Sequence, residues 1–226
     1  MARTYRALAA LLSYPTDAVC AATDEIAAVL VEEDIVPATG RAAIQVLLTE
    51  FANADIYDLQ ERYFALFDRS RTLSLHLFEH IHSESRDRGQ AMADLIALYG
   101  AHGLEMTAGE LPDFLPLFLE FLSLLPDAEA REMLGESAGI LRALTERLEK
   151  RNTAYAAVMA VLADLAQAHP VGVSAIPEED PDDLEAMDAA WEEAAVRFGQ
   201  GEAMDGCGTD RLRTRLRAGA RDAALA

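Results

Sequence analysis

Residues 63–125 read YFALFDRSRTLSLHLFEHIHSESRDRGQAMADLIALYGAHGLEMTAGELPDFLPLFLEFLSLL. This stretch decides the fold. It begins with an aromatic helix end (Tyr63, Phe67) and passes through a polar turn crowded with His, Ser and Arg. It ends in an apolar segment punctuated by Pro112 and Pro116. Four of the five histidines fall inside it: His76, His80, His82 and His102. Asp68-Arg69-Ser70 breaks the helical stripe, so 71–85 reads as turns or single helical turns. Ser85 and Asp87 suit an N-cap, and a helix follows over about 86–102 with Met92, Leu95, Ile96 and Tyr99 inward. Gly103 suits its C-cap. Asp113 suits the cap of the next helix, over 114–125, with Pro116 in the first turn where its missing N–H costs little. That helix is apolar almost all round, which predicts burial on most sides.

Outward from there, apolar spacing predicts further helices over about 4–13, 18–33, 40–53, 55–67, 128–151 and 153–168. Pro15, Pro37, Pro126 and Pro170 mark their limits. No strand is expected before residue 170. The expected architecture is an all-α, single-domain bundle of about eight to ten helices, with its core over 1–169. Residues 170–198 read as a Pro-containing linker with a short acidic amphipathic helix. Leu184, Met187, Ala190 and Trp191 recur there at helical spacing. Residues 199–226 read as a Gly/Arg tail, with arginines at 211, 213, 215, 217 and 221.

The 226-residue chain has a net charge of −20. Such a polyanion repels nucleic acid and anionic lipid and attracts basic partners. The apolar run near the N-terminus is short and broken at Tyr14-Pro15, so it reads as an amphipathic first helix rather than a targeting segment. No run reaches the ~18 apolar residues of a membrane span. Cys20 and Cys207 are the only cysteines. They offer no disulfide framework and fit a reducing compartment, the cytoplasm.

Catalytic chemistry has little support. A di-iron carboxylate bundle needs two Glu-x-x-His motifs and two further inward glutamates. Here there is one copy, Glu79 and His82, with His76 and His80 nearby. This cluster is kept as an alternative: a helical metal-dependent enzyme using His76, Glu79, His80 and His82. The plainer reading is that these histidines cap turns or bridge backbone groups. No nucleophile elbow, phosphate cradle or Cys–His pair is present. Arg86 and Arg88 are expected to pair with carboxylates such as Asp68 or Asp113 and fix the turn. A Pro-stiffened loop at 110–113 beside an apolar helix can leave an apolar slot with an acidic rim. That suits a basic amphipathic segment of another protein.

Three blocks carry a family resemblance: Leu66-Phe67-Asp68-Arg69, Ser74-Leu75-His76-Leu77-Phe78-Glu79-His80, and 84–92, ESRDRGQAM. With Glu110-Leu111-Pro112-Asp113, Leu115-Pro116 and 119–122, LEFL, they resemble the signature of the NarJ family within the TorD/DmsD/NarJ superfamily. The resemblance implies a TorD-like all-helical chaperone fold, no catalysis, no cofactor and no bound metal. It implies binding to the N-terminal segment of the apo catalytic (alpha) subunit of respiratory nitrate reductase. There the chaperone allows molybdenum cofactor and iron–sulfur insertion before membrane docking, with molybdenum cofactor donor proteins as further partners. The client groove is expected from Tyr63, Phe67, Asp68, His76, His80, Glu84, Arg86, Asp87, Arg88, Leu111, Pro112, Asp113, Phe114 and Phe118. Glu84, Asp87 and Asp113 are the carboxylates expected to meet a basic client. The acidic helix over 178–193 is expected to cover the groove without client. Ser83 stands where the family usually has Gly. Phe114 stands where the wider family usually has His, so Asp113 lacks that neighbour in sequence.

Overall fold

The computed structural model describes residues 3–69, 71–81, 86–106 and 109–166, with the side chains of Arg86 and Asp87 excepted. They form α1 (Arg3–Leu12), α2 (Asp17–Ala21), α3 (Thr23–Glu33), α4 (Ala38–Asn53), α5 (Ile56–Tyr63), α6 (Arg86–Ala101), α7 (Leu115–Leu122), α8 (Asp127–Gly135), α9 (Ala138–Lys150) and α10 (Tyr155–Leu165). Among the described residues there is no strand, only one isolated antiparallel bridge between His76 and Phe114. The bundle is all-α, as expected. The acidic helix, the Pro-containing linker and the Gly/Arg tail lie outside the described residues.

α1 runs through the middle. Its Tyr5, Leu8, Leu11 and Leu12 are fully buried, and it packs on α7 and α3. Its N-terminus is capped from a distance. The Glu33 carboxylate accepts from the Arg3 and Thr4 amides at 2.8 and 2.7 Å and from the Thr4 hydroxyl at 2.8 Å. Burial acts to raise the Glu33 carboxyl. The bonds from Thr4 and Arg3 outweigh it and hold the group below the usual carboxylate range. The end of α3 thus supplies the acceptor that the first turn of α1 lacks locally.

α10 is the second pillar, packed on α9, α4 and α8. Its Tyr155 meets Phe51 and Phe67 edge-on, at centroid separations of 6.2 and 5.1 Å. Gly40 of α4 sits where α4 approaches α10. A Cβ there would lie 2.8 Å from Val161 Cγ2 and 3.1 Å from Val36 Cγ1. Gly40→Ala is therefore expected to lose about 1 kcal/mol of stability in urea unfolding, because overpacking outweighs the gain in helix propensity. A more stable variant would show that Val161 yields freely.

Three expected helices end differently. The span 18–33 is two helices, broken at Ala22, whose amide is shared between the Ala18 and Val19 carbonyls; the Thr23 hydroxyl donates to the Cys20 carbonyl. The span 128–151 is also two, broken at Glu136 and Ser137. The end of 55–67 is a π-helical turn over Phe64–Asp68, closed by the Arg69 amide on the Phe64 carbonyl at 3.2 Å. This wider turn leaves Phe64 exposed while Leu66 and Phe67 stay buried.

Candidate functional site

The bridge at His76 ties the polar turn to the start of α7. The Leu77 amide donates to the Asp113 carbonyl at 3.0 Å, and the Leu115 amide donates to the Leu75 carbonyl at 2.8 Å. Asp113 locks this joint. Its side chain is fully buried; Oδ2 accepts from the Phe78 amide at 3.0 Å, and Oδ1 lies 3.3 Å from His76 Nδ1. The His76 ring also lies over Phe114, with centroids 5.3 Å apart. Tyr99 of α6 completes the joint by donating its hydroxyl to the Pro112 carbonyl at 2.7 Å.

Asp113 therefore does not face solvent to meet a basic client, as the sequence suggests. Its charge is used inside, on a backbone amide and a histidine. The Asp–His pair that is missing at 113–114 is rebuilt in space by His76, which reaches Asp113 from the other side of the joint.

α7 shows why a groove forms here. Leu115, Pro116, Phe118, Leu119, Phe121 and Leu122 are buried. Only Leu117 and Glu120 are open, and with Phe114 they stand at i, i+3 and i+6 on one stripe. That stripe is the floor of a cavity of about 490 Å³. Tyr14, Leu104, Met106, Phe114, Pro116 and Leu117 supply apolar surface, and Glu105, Glu110 and Glu120 form an exposed acidic rim. The slot is apolar with an acidic edge, as the loop at 110–113 suggests, but its walls differ from the expected ones.

Of the expected site residues, Phe114 lines this groove. Pro112 and Phe118 are buried behind it, and Leu111 is exposed in the preceding loop. Tyr63 and Phe67 are core residues rather than wall residues. The Tyr63 hydroxyl donates to the Leu12 carbonyl at 2.9 Å, and its ring backs Tyr14 edge-on at 5.5 Å. Asp68 is exposed; burial of its carboxyl raises it, against the lowering influence of His76. Arg88 pairs with Glu79 at 3.5 Å, not with Asp68 or Asp113. Glu84 and the side chains of Arg86 and Asp87 lie outside the described residues, as does His82. Sequence reasoning missed Tyr14, Leu104, Glu105, Met106, Leu117 and Glu120. The i, i+3, i+6 stripe on α7 was a usable signal for the last two, whereas nothing marks Leu104 and Met106 before the fold brings them in.

The two described histidines of the turn are occupied by the fold. His80 is buried, and its Nε2 lies 2.7 Å from the Ser74 carbonyl. Burial pushes it below the ordinary histidine value, and the Ser74 contact only partly offsets this. His76 is held above that value, first by its hydrogen bond to Asp113. Burial opposes the rise, and the charges of Asp113, Glu79 and Glu110 support it. The two act in opposite directions on stability. His76 contributes stability that is fully present below about pH 6.5 and is lost as pH rises through its folded pKa. His80 contributes stability present above about pH 6.5 that is lost as pH falls. Ring-proton NMR titration is expected to place His76 above and His80 below the ordinary midpoint. Coincident midpoints would contradict this arrangement.

The profile of the nitrate reductase delta subunit family matches residues 17–161. The chain belongs to that family. As a member of the delta subunit family it is 42% identical over 202 residues to the nitrate reductase molybdenum cofactor assembly chaperone NarJ of Escherichia coli K12. That match covers 88% of this chain and 84% of the relative. It is 46% identical over 160 residues to the probable nitrate reductase molybdenum cofactor assembly chaperone NarW of the same strain, over 67% of this chain and 69% of the relative. A probable chaperone NarJ of Bacillus subtilis 168 is 32% identical over 173 residues, 75% of this chain and 90% of the relative. These relatives are named as assembly chaperones rather than as catalysts. The delta-family match spans the joint and the groove floor, from His76 to Glu120, while Tyr14 lies just before it.

Proposed function

We propose that this delta-family protein is the assembly chaperone of a respiratory nitrate reductase and acts in the cytoplasm. It binds the N-terminal segment of the apo catalytic subunit and holds the enzyme open to molybdenum cofactor and iron–sulfur insertion before membrane docking. Cofactor donor proteins meet the complex at that stage. The observation that carries this reading is the Phe114–Leu117–Glu120 stripe, the one open line on an otherwise buried helix, set in an apolar slot with three glutamates at its edge. An amphipathic client segment places its apolar face on that floor and its basic residues on the rim. The kinship with chaperones named for nitrate reductase supports the choice of client.

Calorimetric titration with a synthetic peptide of the catalytic subunit's N-terminal segment tests it. Binding is expected with Kd of about 1 µM or tighter at low salt, weakening at least about tenfold in ~0.5 M NaCl as the rim is screened. No heat of binding at low salt, with the folded state confirmed by circular dichroism, sinks the proposal.

A further inference from the structure

The groove carries net negative charge at its edge, and so does most of the chain. Glu105, Glu110 and Glu120 are exposed around an apolar floor, and among the described residues no lysine or arginine lines the slot. An acidic cover such as 178–193 brings the wrong sign to this rim. One segment of the chain has the right one. Residues 211–217 read RLRTRLR and follow a long stretch that is overwhelmingly acidic. Leu212 and Leu216 are four apart, the spacing that puts two apolar side chains on one face of a helix with arginines around them. About 45 residues separate Ala166, the last described residue, from Arg211. At full extension such a length spans on the order of 150 Å. A domain of this size has a radius of gyration of roughly 15 Å, so any point on its surface is within reach.

We propose that the arginine-rich segment 211–217 docks in the groove of its own chain, with Leu212 and Leu216 on the Leu117–Phe114 floor and the arginines on the glutamate rim. It is an intramolecular stand-in that a client must displace. The docking stands on charge and apolar complementarity alone; its regulatory consequence rests on the client reading proposed above. Tethering supplies an effective concentration in the millimolar range, so even a weak contact competes. The segment keeps the apolar floor covered between clients and sets a threshold of affinity that a non-client peptide does not reach.

Cys207 stands four residues before Arg211 and gives a native attachment point. The full-length chain, with Cys20→Ser, is spin-labelled at Cys207, and the methyl signals of Leu117, Leu104 and Met106 are recorded. Docking predicts that these signals broaden and that they recover in a full-length variant with the arginines at 211, 213, 215 and 217 changed to glutamate. Sharp signals in the labelled parent overturn the proposal. So does broadening that survives the charge reversal, or broadening that moves to signals outside the groove as expected if the arginines pair with 178–193. Mixing labelled chains with isotope-enriched unlabelled ones tests for a second copy, and broadening between chains also overturns it. In the client titration the charge-reversed variant is expected to bind at least about threefold tighter than the parent. If neither binds the peptide but the broadening behaves as predicted, the client reading fails and the docking stands.

Discussion

Asp113→Ala is expected to lower the unfolding free energy by about 3 kcal/mol. The reason is local and electrostatic. The buried carboxylate satisfies the Phe78 amide and faces His76. Removing it leaves a buried donor without its acceptor, and charge-assisted bonds of this kind contribute about 1.5–3 kcal/mol each. For a domain of this size the melting midpoint should fall by roughly 6–12 °C. Asp113→Asn keeps one oxygen for the Phe78 amide and is expected to fall between parent and alanine variant. Urea unfolding at neutral pH reads both, and an alanine variant within about 0.5 kcal/mol of the parent would mean that the joint is not held by this residue. Client affinity of the Asn variant is expected to drop through distortion of Phe114, not through loss of a surface charge. Adding salt should therefore not remove the difference between the two proteins.

Leu117→Lys is expected to weaken client binding at least ~30-fold, the loss of a central apolar anchor of about 2 kcal/mol or more. Leu117 is the partly buried centre of the α7 stripe, open on its groove side, so the lysine ammonium can reach water past the rim and stability should change by less than about 1 kcal/mol. The expected split, affinity lost and fold kept, separates the groove floor from the core behind it. Leu117→Met, which conserves volume, should bind within about threefold of the parent. A lysine variant that binds the client as the parent does removes this groove as the client site.

The helices were legible because their apolar residues recur with the helical period. Tyr5, Leu8, Leu11 and Leu12 form one face of α1, and Ile44, Leu47, Leu48 and Phe51 one face of α4, and all of them are buried. The break at Ala22 was not legible. It carries no Gly or Pro; both short helices pack on α4, and α3 packs on α1 as well. The break at Glu136 had a faint mark in Gly135 and Gly139. The site divided in the same way. The apolar floor and acidic rim follow from the local pattern around 110–120. The burial of Asp113 does not, because aspartate is usually exposed and the amide that donates to it here lies far back in sequence. His76 likewise gives no local hint that it is a partner of Asp113 rather than a metal ligand. Tyr63 and Phe67 misled because an aromatic pair at a helix end looks the same whether it lines a groove or, as here, stands behind Tyr14.

The bridge between His76 and Phe114 has a consequence for the order in which the molecule assembles. The helices on either side of it form from contacts between near neighbours, which are fast. The bridge joins stretches of chain separated by all of α6, a shorter excursion than the one that brings α1 onto α7 or α10 onto α4. The wall that carries Phe114 thus closes over a shorter loop than the centre of the bundle does. A newly made chain can therefore join the polar turn to the loop before α7 ahead of the bundle's centre, and the groove is complete only when Tyr14 arrives with α1.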